Sequence, residues 1–176
     1  MIERNSILEW SEQAPWTDLA MVEQDLIICR ALVDIFSDDF LREQLAFRGG
    51  TALHKLYLQP QHRFSEDIDL VQIHPGPIKP ILFRLGEVLS WMPDRVIKQK
   101  RYNNTLLFRM ESEFPPIQPI RLKVEINCYA VARESRRWTF ALPWKSIPSM
   151  SMAALPYPMR KSAPFPAVPP LIVALQ

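Results

Sequence analysis

Two aspartates separated by one residue, Asp67 and Asp69, are the side chains whose types and spacing most directly indicate chemistry. They lie in an alternating polar and apolar stretch, in which Ile68 and Leu70 occupy the other positions. In a β-strand, residues i and i+2 face the same side, so the two carboxylates would lie close together. Like charges at that spacing are costly unless a cation lies between them. The pair therefore predicts a binding site for a divalent metal ion.

A glycine turn precedes this pair in the sequence. Gly49 and Gly50 are followed by Thr51 and by a short apolar segment with helical periodicity. Glycines let backbone amides approach phosphate oxygens closely, and a helix N-terminus adds a partial positive charge. A phosphate-binding turn beside a divalent-metal site is the combination that nucleotidyl transfer requires. The plainer alternative for the glycines is a tight turn without a ligand.

A third carboxylate is expected from an alternating stretch near residue 125. One face of that predicted strand carries Lys123, Glu125 and Asn127, and the other carries Val124 and Ile126. Glu125 is the natural third metal ligand if its strand and the Asp67–Asp69 strand are neighbours in the sheet. The alternative is that Glu125 faces solvent on an edge strand.

Four further polar residues are candidates for contacts with phosphate. Ser65 precedes Asp67 by two residues and could donate a hydrogen bond, and the possible counter-charges are Lys55, Arg63 and Lys123. Two plainer alternatives stay open. Ser65 could be a simple turn residue, and the aspartate pair could cap a strand or form ion pairs with Arg63 and Lys55.

Hydrophobic periodicity predicts four helices and five strands that would position these residues. The helices are expected at 19–36, 38–44, 51–58 and 78–92, and the strands at 45–48, 67–73, 95–99, 105–111 and 121–129. Asn103 and Asn104 are expected to form the turn between the third and fourth strands. In the helix at 51–58, the buried side would comprise Ala52, Leu53, Leu56 and Tyr57. In the helix at 19–36, Glu23 and Asp25 are expected away from the apolar side. The fold class is α/β (α+β), with a small mixed sheet packed against helices.

Bulk composition restricts the class of protein. At 176 residues, with 48% hydrophobic and 23% charged residues, the chain suits one globular core. A net charge of +2 gives no argument for binding nucleic acid through bulk charge. Cys29 and Cys128 are expected to be reduced and buried. The sequence shows neither a leader pattern nor an apolar run approaching membrane-spanning length, so a cytoplasmic location without a membrane partner is expected.

The composition changes near residue 135. No Asp or Glu follows Glu134, and eight prolines lie between Thr139 and Gln176. Closely spaced prolines remove amide donors and interrupt helices. A catalytic core over 1–134 and an irregular, proline-rich tail over 135–176 are therefore expected.

Four motifs carry a resemblance to a known family. They are Val22–Leu26, Gly49–Leu53, Arg63–Leu70 and Leu122–Ile126. Together they resemble the AbiEii toxin group of the polymerase-beta-type nucleotidyltransferase superfamily, over roughly residues 1 to 130. The combination of Gly-Gly-Thr with Ser-x-Asp-x-Asp is specific, whereas a lone Gly-Gly would not be.

The resemblance implies an activity and a set of site residues. Mg2+ would be held by Asp67, Asp69 and Glu125. An NTP would be bound by Gly49, Gly50, Thr51 and Ser65, with Lys55, Arg63 and Lys123 as counter-charges. The nucleoside monophosphate would pass to an RNA acceptor, such as tRNA, or to a protein. A cognate antitoxin and a role in phage defence are implied as well.

One departure from the family pattern concerns the tail. Family members continue with a helical region that supplies an active-site Lys and a later Asp, and nothing between Glu134 and Gln176 matches it. The loss of acidic residues and the clustered prolines indicate a frameshifted replacement of that region. An inactive remnant that still binds nucleotide or antitoxin is therefore the alternative function. A non-enzymatic RNA-binding module ranks lower, because no basic stripe with interleaved aromatic residues is evident.

Overall fold

The computed structural model describes residues 2–58, 61 and 63–128, so the predicted tail lies outside the described residues. In this part of the chain the helices are α1 (Arg4–Ser11), α2 (Leu19–Ser37), α3 (Asp39–Gln44), α4 (Gly49–Leu56) and α5 (Ile78–Val88). The strands are β1 (Leu45–Arg48), β2 (Asp67–Gln72), β3 (Val96–Gln99), β4 (Asn103–Glu111) and β5 (Pro119–Asn127). None of the helices in these ranges has the length and apolarity needed to cross a bilayer.

The four predicted helices and five predicted strands are all present, and the predicted turn is wrong. Asn103 and Asn104 are the first residues of β4, and the chain reverses at 100–102, where the Lys100 amide bonds the Asn103 carbonyl at 2.9 Å. Tyr57 was expected on the buried side of α4, but it follows the helix and is 49% exposed. Helix α1 was not predicted.

The five strands form one mixed sheet in the order β1-β2-β5-β4-β3. Strands β2 and β5 are parallel neighbours at its centre, and the other adjacent pairs are antiparallel. A parallel pair needs a long crossover, which here contains α5, β3 and β4. The register aligns Asp67 with Lys123 and Asp69 with Glu125. The predicted mixed α/β architecture is therefore confirmed, with two chemically informative strands side by side.

One face of the sheet forms the core together with the helices. Ile68, Leu70, Val124 and Ile126 have no exposed surface and belong to the same hydrophobic cluster as residues of α2. Because side chains alternate across a strand, the residues between them occupy the opposite face. Burial of the apolar face thus fixes the carboxylates on the other side, since a shift of register by one residue would reverse both faces.

Helix α2 also buries a carboxylate that was expected outside the apolar side. Asp25 is 3% exposed and accepts hydrogen bonds from Trp10 Nε1 at 3.0 Å and from Lys55 Nζ at 2.6 Å. Gln61 Nε2 lies 3.4 Å from the same carboxylate, and Lys55 Nζ lies 3.2 Å from the Cys29 sulfur. The expectation for Asp25 was wrong because its partners come from α1, α4 and the loop after α4. This buried network ties those segments to α2.

Glu23 was also expected away from the apolar side, and it too is buried. It is 3% exposed, and its Oε2 accepts a hydrogen bond from the Glu113 backbone amide at 2.9 Å. Burial raises the pKa of this carboxyl, and the nearby Glu113 carboxylate raises it further, against the lowering effect of the amide. The side chain therefore connects α2 to the loop between β4 and β5.

We expect Lys55→Met to lower the free energy of unfolding by about 3 kcal/mol, because removing one partner leaves Asp25 buried without a cation. Urea denaturation would measure this change. The double variant Asp25→Asn/Lys55→Met should recover part of the loss, since the uncompensated charge is then absent. Exposed Lys79→Met is the matched control and should change stability by less than about 0.5 kcal/mol. An unchanged midpoint for Lys55→Met would contradict the structural importance of this pair.

Candidate functional site

Three carboxylates lie on the face of the sheet opposite the core. Asp67 and Asp69 are at the start of β2, and Glu125 is opposite Asp69 on the parallel strand β5. The expectation that these two strands are neighbours is therefore confirmed. All three side chains are partly buried, which weakens the screening of their charges by water.

The Lys123 ammonium lies among these carboxylates. Its Nζ is 3.0 Å from Glu125 Oε2 and 3.6 Å from Asp67 Oδ2. The hydrogen bond to Glu125 and the charges of both carboxylates raise the pKa of Lys123. Burial raises the pKa of the Asp69 carboxyl, and Glu125 and Asp67 raise it further. The cluster therefore carries an excess of negative charge that one lysine only partly offsets.

This set of donors fits a divalent cation in its chemistry. Carboxylate oxygens are preferred ligands of Mg2+, and the repulsion that raises the Asp69 pKa is what such a cation would relieve. Within the described residues, however, no three His, Cys, Asp or Glu side chains converge closely enough to enclose an ion. In this arrangement the Lys123 ammonium supplies positive charge beside Asp67 and Glu125.

The glycine turn packs directly against the second aspartate. Gly49 is the first residue of α4, has φ +81°, and would place a Cβ only 2.5 Å from Asp69 Oδ2. Both the backbone conformation and the close approach of Asp69 therefore require glycine here. These contacts explain the glycine without a ligand, so the alternative of a tight turn stays open and phosphate binding by the turn stays a prediction.

The first turn of α4 is fastened to the start of β2 by hydroxyl groups. Thr51 Oγ1 donates to the Asp67 carbonyl at 2.9 Å and is also hydrogen-bonded to Ser65 Oγ. Ser65 precedes β2 and does not lie on a strand face, and its Oγ is 3.4 Å from the same carbonyl. Both hydroxyls thus hold the glycine turn beside the carboxylates. A phosphate contact by either residue stays a prediction.

The predicted counter-charges take different positions. Arg63 Nη1 would lie 3.1 Å from a Cβ at Gly50, so its guanidinium covers the glycine turn. The Arg63 backbone is held by a hydrogen bond from Gln61 Nε2 to its carbonyl at 3.0 Å. Lys55, by contrast, is directed into the interior toward Asp25, and its side chain is 10% exposed. This arrangement supports a positioning role for Lys55 and gives no support to contact with phosphate.

Two further residues of the site were missed by the sequence reasoning. Arg48 is opposite Asp69 in the β1–β2 register, and its charge lowers the Asp69 pKa. Asn103 Nδ2 donates to Glu125 Oε1 at 3.2 Å and orients that carboxylate. Arg48 could have been recognised from the sequence, because it ends a predicted strand directly before the two glycines. Asn103 was missed because the Asn-Asn pair has a high turn propensity, so it was assigned to a turn and not to the start of β4.

Comparisons with known proteins give a family match. A family model described as "Nucleotidyl transferase AbiEii toxin, Type IV TA system" matches residues 30–158. The match crosses residue 134, and the division of the chain at that position stays a prediction. Comparison with curated proteins gave no match.

Several solved structures are similar as well. JHP933 from Helicobacter pylori is 24% identical, with a TM-score of 0.45, over 65% of this chain and 47% of that protein. MenT4, a nucleotidyltransferase toxin from Mycobacterium tuberculosis H37Rv, is 18% identical, with a TM-score of 0.42, over 72% of this chain and 44% of that protein. The chain thus spans less than half the length of these two proteins.

The family match covers more than half of the chain and includes the glycine turn and all three carboxylates. On this evidence, the chain belongs to the AbiEii family of nucleotidyl transferase toxins.

Proposed function

We propose that this chain transfers a nucleoside monophosphate from an NTP to an RNA acceptor such as tRNA, in a reaction that depends on Mg2+. The observation that supports this most strongly is the alignment of Asp67, Asp69 and Glu125 on two parallel strands, with the Gly49 turn against Asp69. In the reaction, the acceptor oxygen forms a bond to the α-phosphorus. The bond from that phosphorus to the bridging oxygen breaks, and pyrophosphate leaves.

The three carboxylates would hold the metal, which when bound supplies charge neutralisation and lowers the pKa of an attacking hydroxyl. Around it, the residues of the chain align and neutralise the phosphates. The amides at Gly49 and Gly50 face outward from the start of α4, where the helix dipole favours anions. Arg63 covers this turn, and Lys123 can exchange its carboxylate contacts for a phosphate. Phosphoryl transfer depends mainly on such alignment and electrostatics.

The family description as a type IV toxin–antitoxin component supports two further parts of the proposal. The protein is counteracted by a cognate antitoxin, and it acts in the cytoplasm, where NTPs and tRNA are available, in phage defence. These assignments come from the family and from the substrate class.

The composition of the tail supports a second candidate function. The absence of Asp and Glu after Glu134 leaves no acidic residue in that segment to complete the site. The chain would then be an inactive remnant that binds nucleotide or the antitoxin. Calorimetry with an NTP and Mg2+ separates this candidate from the first, since binding without any transfer is expected only for the remnant.

The first activity prediction concerns the aspartate pair. Asp67→Asn and Asp69→Asn should each lower the transfer of labelled nucleotide to total tRNA by at least roughly 100-fold, because metal-binding charge is lost with little change in shape. Asp39→Asn on α3, a residue whose side chain is 82% exposed, is the matched control and should retain full activity. Equal labelling by the wild type and the aspartate variants would refute the proposed chemistry.

The second prediction contrasts the two glycines. Gly49→Ala should reduce transfer on the order of 100-fold, because its Cβ would displace Asp69 and misalign the site. The positive φ adds a cost of about 1–2 kcal/mol in stability, measurable by thermal denaturation. Gly50→Ala should be milder, since its Cβ meets only the flexible end of Arg63. A Gly50→Ala variant that is as inactive as Gly49→Ala would contradict this difference.

A further inference from the structure

A cleft of about 420 Å³ lies at the end of the sheet where β5 begins. It is bordered by the first turns of α2, by the segment that precedes β2, and by the facing ends of β4 and β5. The residues that give it chemical character are Gln24, Phe64, Arg109 and Arg121. None of these four belongs to the carboxylate cluster described above, and we call this site the arginine cleft.

The two arginines of the cleft are directly opposite each other. Arg109 on β4 is in register with Arg121 on β5, and both are exposed. Like charges in that position destabilise a sheet. Arg121 is partly compensated by Glu66, whose Oε2 is 3.6 Å away, but Arg109 forms no ion pair within the described part of the chain. Two neighbouring guanidiniums, of which only Arg121 has a carboxylate partner, offer a site for a phosphate group.

The walls of the cleft suit a nucleobase. Phe64 is partly buried and is held by an edge-on contact with Trp16, with ring centroids 5.5 Å apart. Gln24 is 3% exposed, and its amide nitrogen has no hydrogen-bond partner within the described residues. A buried donor without a partner is costly, and rotation of the amide would offer it to a ligand in the cleft. An aromatic ring beside paired arginines is the usual platform for a single-stranded nucleic acid.

The cleft and the glycine turn lie beside different strands of the sheet. Arg121 lies on the same face of β5 as Lys123 and Glu125, with Glu125 about 13 Å further along the strand. The glycine turn lies on the other flank of the carboxylates, after β1. An in-line transfer requires donor and acceptor on opposite sides of the reacting phosphorus. With the triphosphate at the glycine turn on the β1 side, an acceptor strand held in the arginine cleft would reach the carboxylates from the β4 side.

We propose that the arginine cleft binds a nucleotide of a single-stranded RNA acceptor, adjacent to the end that is modified. A phosphodiester contacts Arg109 and Arg121, and the base stacks against Phe64 with the Gln24 amide at its edge. This inference rests on the proposed function, because that function defines which end of the RNA reaches the carboxylates. It adds the location and the chemistry of acceptor recognition.

The test measures binding of the full chain to a fluorescein-labelled single-stranded RNA by anisotropy, without NTP, over a series of salt concentrations. Arg109→Gln and Arg121→Gln should each weaken binding several-fold. Because both arginines contact one phosphodiester, the double variant should reduce the slope of log K against log salt by about 0.7, the value for one phosphate contact on a single strand, and each single variant should reduce it by less. Lys79→Gln on α5 removes an exposed charge far from the cleft and should leave the slope unchanged. Phe64→Leu, which keeps apolar bulk, should weaken binding roughly 5-fold or more with the slope retained.

A second measurement distinguishes RNA from the NTP as the source of the phosphate. Calorimetry with NTP and Mg2+ should give the same affinity for Arg109→Gln and wild type, whereas KM for RNA rises in the transfer assay. Loss of NTP affinity without loss of RNA affinity would assign the cleft to the triphosphate and overturn the proposal. Absence of RNA binding by the wild type would overturn it too, even if the enzyme labels another acceptor. Arginine-dependent RNA binding by a chain that transfers nothing would leave the cleft in place and refute only the proposed activity.

Discussion

Mutual repulsion of three carboxylates is the constraint on which the arrangement of this protein depends. Asp67, Asp69 and Glu125 are held on adjacent strands by the burial of Ile68, Val124 and their neighbours on the other face. The fold therefore uses hydrophobic free energy to keep like charges together. Lys123 and Arg48 reduce the cost, but the pKa of Asp69 is still raised. The cluster therefore remains electrostatically unfavourable after packing, which supports the proposed role in metal binding.

The glycine turn depends on this cluster and on a second, buried one. Gly49 must lack a side chain because Asp69 lies against it. Thr51 fixes the same turn to the Asp67 carbonyl. At the other end of α4, Lys55 is held by Asp25 in the interior. Polar contacts thus hold helix α4 at both ends. The helix needs these contacts because eight residues form a helix of little stability on their own. Precise placement of the turn follows from these two attachments.

Much of the fold and the centre of the site could be predicted from the sequence, because periodicity reports which side chains are buried. The alternation of polar and apolar residues around Asp67 and Glu125 correctly predicted both strands and the polar face that these residues share. The rest depended on contacts between distant segments. Helix α1 buries only Ile7 and Trp10, and two apolar positions do not establish a helical periodicity in the sequence. The interior position of Lys55 followed from a buried Asp25 thirty residues earlier, and the strand position of Asn103 from its bond to Glu125. Neither pairing is encoded in local spacing.

On the same face of the sheet, the two arginines of the cleft lie apart from the three carboxylates, which Lys123 accompanies. The carboxylates occupy the middle of β5 and its neighbour β2, whereas Arg109 and Arg121 are opposed at the end of β4 and β5. Interleaving the two sets would lower the energy of the isolated protein, since each like-charged group would gain a partner. In the proposed complex, a polynucleotide whose backbone lies on the arginines and whose reacting end reaches a metal at the carboxylates would satisfy both groups together. Under the proposed function, separation of charge along β5 would therefore cost the free protein stability and favour one orientation of the acceptor.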